Sequence, residues 1–208
     1  MTPEKHPPRF VGDPLFSQKP LSRALPEHFD NALNEVVWLR DTKSPRKAVA
    51  KVRKWAVSFA CLKPLQLDVG HPRINEFRDL DSLRADAGRP RTMVAMYVPF
   101  TGSAALWQWA PDDVKFSPLV GSVRPFGEDG ILEIQATVAV GFEGGFAAAL
   151  ENYLRRIRAM LRHQQRQVER YNAQVAERVE AAFPTVGDHK RVSEALRSIR
   201  IKPELDSK

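Results

Sequence analysis

The chain has 208 residues, of which 43% are apolar, so it can bury one ordinary hydrophobic core and is not a disordered protein. Lys and Arg number 32 against 25 Asp and Glu, and the net charge of +7 favours a polyanionic partner or an acidic protein surface without selecting between them. The single cysteine, Cys61, excludes a disulfide framework and a cysteine-rich metal site, and it indicates a reducing compartment.

The sequence shows no targeting or membrane segment. The first 25 residues contain five prolines and no apolar core region, which is unlike a signal peptide. No run approaches the roughly 18 apolar residues that a membrane span needs. We therefore expect a cytoplasmic protein that has no membrane partner.

The first part of the chain is predicted to form an arm followed by two helices. Residues 1–25 are proline-rich and polar, so we expect a flexible or draped arm without regular structure. A first helix is predicted over about residues 26–40. Ser44 and Pro45 are typical of an N-cap and a first helical turn, and they begin a second helix that reaches Leu62. The candidates to anchor the arm are Phe10, Val11, Leu15 and Phe16.

The middle of the chain shows the alternation of apolar and polar residues that is typical of strands. A short strand is expected near residues 65–69, and residues 92–100 are the most strand-like run. Two more strands, over residues 120–125 and 131–140, flank a tight turn, whereas residues 70–91 are ambiguous. These strands and helices predict an α+β fold, with a small antiparallel sheet and helices packed on one side.

A long amphipathic helix is predicted over residues 146–183, near the C-terminus. Gln164 interrupts its apolar stripe, which disfavours a uniform coiled coil, and the buried amide requires a hydrogen-bond partner. Pro184 ends the helix, and residues 184–208 form a basic tail, so residues 26–183 are predicted to be one α+β domain. The apolar stripe recurs at steps of three and four, at Phe146, Leu150, Tyr153, Ile157, Met160, Leu161, Val168, Tyr171, Val175 and Val179.

Two rows of basic residues are predicted on helix faces opposite the apolar ones. The arginine ridge of the long helix extends over about 22 Å and consists of Arg155, Arg158, Arg162, Arg166 and Arg170. The lysine row of the second helix consists of Lys47, Lys51 and Lys54. Exposed Lys and Arg solvate helix faces in most proteins. A phosphate-contacting surface becomes the better interpretation if the two rows are coplanar.

No motif in the sequence predicts catalysis, a cofactor or a metal site. The five histidines are scattered, and P-loop, nucleophile-elbow and dinucleotide-binding motifs are absent from the sequence. A restriction-type nuclease needs an Asp and a Glu that converge on a divalent metal, with Lys or Gln two residues further along the strand. Asp129, Glu133 and Gln135 come close to this pattern, but the two carboxylates are too near in sequence and no lysine follows.

Aromatic residues cluster just after the strand predicted at residues 92–100. Aromatic rings can stack on bases. At this density they more often form the edge of a core or the anchor of a protein interface. We therefore take Phe100, Trp107 and Trp109 as candidates for a protein contact.

One segment resembles part of a known family. The residues that carry the resemblance are Val98, Pro99, Phe100, Thr101 and Gly102, followed by Leu106, Trp107 and Pro111. They are similar to a segment in the amino-terminal region of large bacterial restriction-endonuclease-like defence proteins, where a sheet, a long charged helix with an Asn-containing stretch and then a nuclease domain follow. Tyr171, Asn172 and Val175 stand where that helix motif falls, and the resemblance covers about residues 93–201. The family's catalytic carboxylates and lysine would lie beyond this chain, so the resemblance implies no catalytic residue here.

Three functions stay open. The first is a non-enzymatic accessory or recognition module of a bacterial anti-phage or foreign-DNA defence system, which contacts a partner protein or a second copy of itself, with nucleic acid as a further partner. The second is a DNA- or RNA-binding protein that uses the arginine ridge. The third is a metal-dependent nuclease. For the first two we expect no cofactor and no metal.

Overall fold

The computed structural model describes most of the chain. The described ranges are residues 8–43, 49–70, 73–77, 91–112, 114–115, 117–139 and 143–183. Lys47, the helix start predicted at Ser44 and Pro45, and the tail 184–208 lie outside these ranges.

The chain divides into two compact units, whereas the sequence predicted a single domain over residues 26–183. The first unit comprises Met1–Leu21 and Lys63–Val168, and the second comprises Ser22–Leu62 and Glu169–Lys208. One uninterrupted helix contributes residues to both units, so no linker or change of composition marks the boundary between them.

Three α-helices are present in the described residues: α1 over Leu21–Lys43, α2 over Val49–Ala60 and α3 over Glu143–Ala182. A short 3-10 helix covers Ala104–Trp107. The α1 helix begins earlier than predicted and contains Pro26, because its first turns already bury Leu21, Ala24 and Leu25. The α3 helix agrees closely with the predicted range 146–183.

The strands form a seven-stranded sheet and a separate pair. The sheet has the order β2-β8-β9-β6-β4, with β1 pairing to β9 and β5 to β6, and each of these pairings is antiparallel. A parallel pair joins β3 to β7. The α+β class is therefore confirmed. The strands are β1 Arg9–Val11, β2 Asp13–Leu15, β3 Lys19–Pro20, β4 Gln66–Leu67, β5 Arg73–Phe77, β6 Arg91–Thr101, β7 Trp109–Ala110, β8 Leu119–Phe126 and β9 Asp129–Ala139.

The structure corrects the prediction of an arm without regular structure for residues 9–25. These residues form β1, β2, β3 and the first turn of α1. Leu15 and Phe16 are buried and Phe10 and Val11 are half-buried, so the predicted anchors hold the segment in place. The prolines are tolerated because Pro14 and Pro20 lie in strands of two or three residues at sheet margins, where a missing N–H costs little.

Two glycines allow the N-terminal segment to cross the sheet. The β6 strand pairs with the whole of β9, so β1 and β8 share the opposite side of β9. Beyond Val11 the chain passes across β8 and pairs with the other side of that strand. A Cβ on Gly12 would lie 2.9 Å from the backbone of Gly121, and Gly12 has a φ of 144°, so only glycine fits this crossing.

The core of the first unit lies between one sheet face and α3. The side chains of Leu132, Ile134, Ala136 and Val138 are buried on this face of β9. Tyr153 of α3 stacks on Phe10 at 3.8 Å, accepts a hydrogen bond from the Val120 amide at 2.5 Å and donates one to the Val120 carbonyl at 2.7 Å. Burial raises the pKa of the Tyr153 hydroxyl, so it stays a donor at neutral pH.

The residues that carry the family resemblance have structural roles in this chain. Gly102 has a φ of 113°, and a Cβ there would lie 2.4 Å from the Pro64 carbonyl oxygen, so the turn after β6 requires glycine. The Asn172 amide accepts a hydrogen bond from the Leu62 N–H at 3.0 Å and donates one to the Leu62 carbonyl at 2.7 Å. Asn172 therefore fixes the backbone that follows α2.

The second unit is held together by contacts between its helices. Tyr171 donates a hydrogen bond to the Ala60 carbonyl at 3.0 Å, and Arg53 forms an ion pair with Glu180 at 2.6 Å. The guanidinium of Arg178 lies 4.2 Å from the ring centroid of Phe29, a cation–π contact. Apolar and polar contacts therefore both attach the last turns of α3 within this unit.

Ile157→Asp should severely destabilise the protein. Ile157 is fully buried in the apolar stripe, and an aspartate there would place an unpaired carboxylate in the core of the first unit. We expect a loss of about 3–5 kcal/mol in the free energy of unfolding, measured by chemical denaturation. Ala159→Asp, on the half-exposed side of the same turn, is the control. A normal unfolding curve for Ile157→Asp would show that α3 is not packed as described.

Tyr171→Phe should change how stability depends on alkaline pH. Burial, opposed by the nearby Arg178, raises the pKa of Tyr171 to about 12, above the value of about 10 for an unfolded chain. The folded state thus favours the neutral phenol, and this contribution is complete below pH 10 and is lost as pH rises to 12. Denaturation between these values should show a steeper loss of stability for the natural chain than for Tyr171→Phe. The same dependence of stability on pH in both proteins would contradict the raised pKa of Tyr171.

Candidate nucleic-acid interface

The structure places the whole arginine ridge on the solvent side of α3. All five members, Arg155, Arg158, Arg162, Arg166 and Arg170, are exposed. The opposite side is buried: Ile157, Val168 and Val175 have no measurable exposure. The predicted division of the helix into an apolar and a basic side is confirmed, apart from Phe146, which is only half-buried.

The ridge lies in a stretch of α3 without acidic residues. Between Glu151 and Glu169 the sequence has five arginines and no aspartate or glutamate. Four ridge members, from Arg155 to Arg166, belong to the first unit and span about 16 Å of helix. This segment therefore presents positive charge alone, and the absence of acids is a signal that the sequence already contains.

Three ridge arginines are not neutralised within the described part of the chain. No described carboxylate pairs with Arg155, Arg158 or Arg162, and the Arg162 Nε donates a hydrogen bond to the Arg158 carbonyl at 3.4 Å. Arg156 differs, because it is half-buried and donates a hydrogen bond to the Ser117 carbonyl at 2.7 Å. The guanidiniums of Arg155, Arg158 and Arg162 are thus available to an external anion, whereas Arg156 supports the fold.

Gln164 fixes the rotation of α3 about its axis. Its side chain is 1% exposed, and its Nε2 donates hydrogen bonds to the carbonyls of Leu106 at 2.6 Å and Trp109 at 2.9 Å. The partner predicted for this buried amide is therefore present. Because the bonds have directions, they hold the arginines of the first unit on the exposed side more specifically than apolar packing does.

The lysine row is exposed but is not brought beside Arg170. Lys51 and Lys54 are both exposed, and Lys47 lies outside the described residues. Within the second unit, Ala60 lies at Tyr171 and Arg53 at Glu180, so α2 runs antiparallel to the end of α3. Lys54 is thus level with Glu180, which is about 15 Å along α3 from Arg170.

The aromatic residues predicted to contact a partner belong to the core instead. Phe100 and Trp107 are each 1% exposed and Trp109 is 9% exposed. Trp107 makes an edge contact with Phe100 at 5.4 Å and a tilted contact with Phe16 at 5.5 Å. The prediction of an aromatic interface failed because Phe16, distant in sequence, covers the cluster.

The carboxylates considered for a nuclease do not converge. Glu133 is 3% exposed, accepts a hydrogen bond from Gln135 at 2.7 Å and pairs with Arg124 at 2.5 Å, so both its oxygens are engaged. Asp129 is exposed and lies four residues away on the same strand, about 13 Å distant. Among the described residues no group of three His, Cys, Asp or Glu could hold a metal ion. Burial also raises the pKa of the Cys61 thiol, which disfavours a thiolate nucleophile.

Comparisons with known proteins give no match among family models, curated proteins or solved structures. The resemblance to restriction-endonuclease-like defence proteins therefore stays a prediction. No helix in the described ranges has the combination of length and apolarity that crossing a membrane requires.

Arg158→Glu combined with Arg162→Glu should leave the fold intact. Both side chains are exposed, and the new carboxylates would lie within one turn of Arg155 and Arg166. We expect the free energy of unfolding to change by less than about 1 kcal/mol, measured by thermal and chemical denaturation. The contrasting variant is Arg156→Glu, which removes the hydrogen bond to Ser117 and should destabilise more. If the double variant is unfolded, the assignment of the arginine ridge to the exposed side of α3 is wrong.

Proposed function

We propose that the protein binds nucleic acid without catalysing a reaction, and that the arginine ridge of α3 contacts the phosphate backbone. The observation that carries this proposal is the row of exposed arginines along about 16 Å of one helix face, in a segment without acidic residues. A planar guanidinium binds a phosphate through two parallel hydrogen bonds, which a lysine cannot do. Successive ridge members rise by about 4.5–6 Å, so each can contact a different phosphate.

Phosphate contacts of this kind supply affinity rather than sequence specificity. Three arginines of the ridge, Arg155, Arg158 and Arg162, are exposed and pair with no described carboxylate. Each phosphate neutralised contributes about −0.9 to the slope of log binding constant against log salt for duplex DNA, so a slope of about −3 is expected. Single-stranded nucleic acid should give a shallower slope, because fewer counterions are released per contact.

The other two functions have less support. The buried positions of Phe100, Trp107 and Trp109 weaken the proposal of an aromatic protein contact. The distance between Asp129 and Glu133 weakens the proposal of a nuclease. Cleavage of nucleic acid that depends on magnesium would support it. An accessory role in bacterial defence rests on the sequence resemblance alone.

Fluorescence anisotropy with labelled duplex and single-stranded DNA and RNA tests the proposed function. The natural chain should bind, and binding should weaken steeply as salt is added. Arg158→Glu with Arg162→Glu should weaken binding by at least about tenfold, since two contacts become repulsive.

A second charge-reversed variant controls for net charge. Arg9→Glu with Arg23→Glu changes the net charge by the same amount at two exposed positions outside α3. It should bind nearly as tightly as the natural chain. Equal weakening in both variants would mean that overall charge, rather than the ridge, determines binding. Absence of binding at low salt would contradict the proposal altogether.

A further inference from the structure

A cleft of about 550 Å³ lies in the first unit, and none of its described lining residues belongs to α3. Its volume is within the range of ligand-binding pockets. One wall is formed by β2 and the residues after it, a second by the 3-10 helix, and the third by Gly121, Val123 and Pro125 of β8. Phe16 has a φ of 54° and donates its N–H to the Trp107 carbonyl at 2.7 Å, so the chain turns sharply after β2. This turn brings residues before and after Phe16 to the same cleft.

The strand along this cleft has an unpaired edge. The β2 strand pairs with β8 only from Leu119 to Gly121, and no strand in the described ranges pairs with that side of β8 further along. Val120 directs both its N–H and its C=O to Tyr153, on the β9 side of the strand. Because backbone groups alternate along a strand, those of Gly121, Val123 and Pro125 point to the opposite side. Val123 therefore offers one N–H and one C=O, and Pro125 offers a C=O.

Asp13 has the one charged side chain among the described residues that line the cleft. Asp13 pairs with Gly121 in the sheet, and paired residues share a face, so its side chain lies on the same face as Val123 and Pro125. It is exposed and makes no ion pair or hydrogen bond with the described residues. The apolar lining includes Leu15, Trp107 and Val123. The cleft thus combines apolar surface with one negative charge, in a chain of net charge +7.

We propose that this cleft binds an extended peptide segment that adds a short strand to the edge of β8 and places a basic side chain next to Asp13. Addition of a strand to a free edge supplies backbone hydrogen bonds, and a pocket for alternate side chains supplies selectivity. A peptide residue opposite Val123 exchanges hydrogen bonds with it and directs its side chain into the cleft. The preference for a cation follows from Asp13 being the only charged residue among the described residues that line the cleft.

The test uses the full chain and a short, end-capped fluorescent peptide of alternating valine and threonine with one central lysine. Anisotropy should show saturable binding of this peptide. Replacement of its lysine by glutamate should weaken binding by about fivefold or more, and Asp13→Asn should abolish that difference. The preference for lysine would oppose the net positive charge of the protein, so it cannot arise from long-range attraction.

Two N-methylated peptides test the strand pairing itself. Methylation of the lysine nitrogen removes the N–H that faces β8, whereas methylation of the next residue removes one that faces solvent. Only the peptide that is methylated at the lysine nitrogen should lose binding. Equal behaviour of the two peptides, or no binding of the lysine peptide at all, would overturn the proposal. Arg158→Glu with Arg162→Glu should leave peptide binding unchanged, so failure here is distinguishable from failure of the proposed nucleic-acid contact.

Discussion

The buried stripe of α3 is the constraint on which the rest of the structure depends. A helix has a fixed period, so burial of Ile157 and Val168 determines the direction of every other side chain along it. The exposed arginines have a cost, because like charges four residues apart destabilise a helix by about 0.2–0.5 kcal/mol per pair. Three such pairs occur from Arg158 to Arg170, and packing of the stripe offsets them.

The features that could be predicted from the sequence are those that depend on local periodicity. The length of α3, its apolar side, the exposed arginines and the strand over residues 92–100 all follow from the residues within one segment. The need of Gln164 for a partner also followed from its position in the stripe. The identity of that partner did not, because the Leu106 and Trp109 carbonyls belong to a distant part of the chain.

The features that sequence reasoning missed depend on long-range pairing. Arg9 pairs with Thr137, so the strand character of a proline-rich segment becomes apparent only once its partner is known. The aromatic cluster was placed at a surface because the covering ring, Phe16, is far away in sequence. The cleft beside β8 has no local signature either, since its walls come from three separated segments. Asp13 was therefore not predicted from the sequence as a binding residue.

Both compact units are assembled from an early and a late part of the chain, and this arrangement constrains folding during synthesis. The first unit needs residues 63–168 as partners for its N-terminal strands, and the second needs the end of α3 to cover its first helices. Contacts of such large sequence separation slow folding, because a long loop must close before they form. The ribosome adds about 5–20 residues per second, so the N-terminal strands are made several seconds before β9. During that interval the backbone edges of β1 and β2 have not yet met the strands that they pair with in the folded protein.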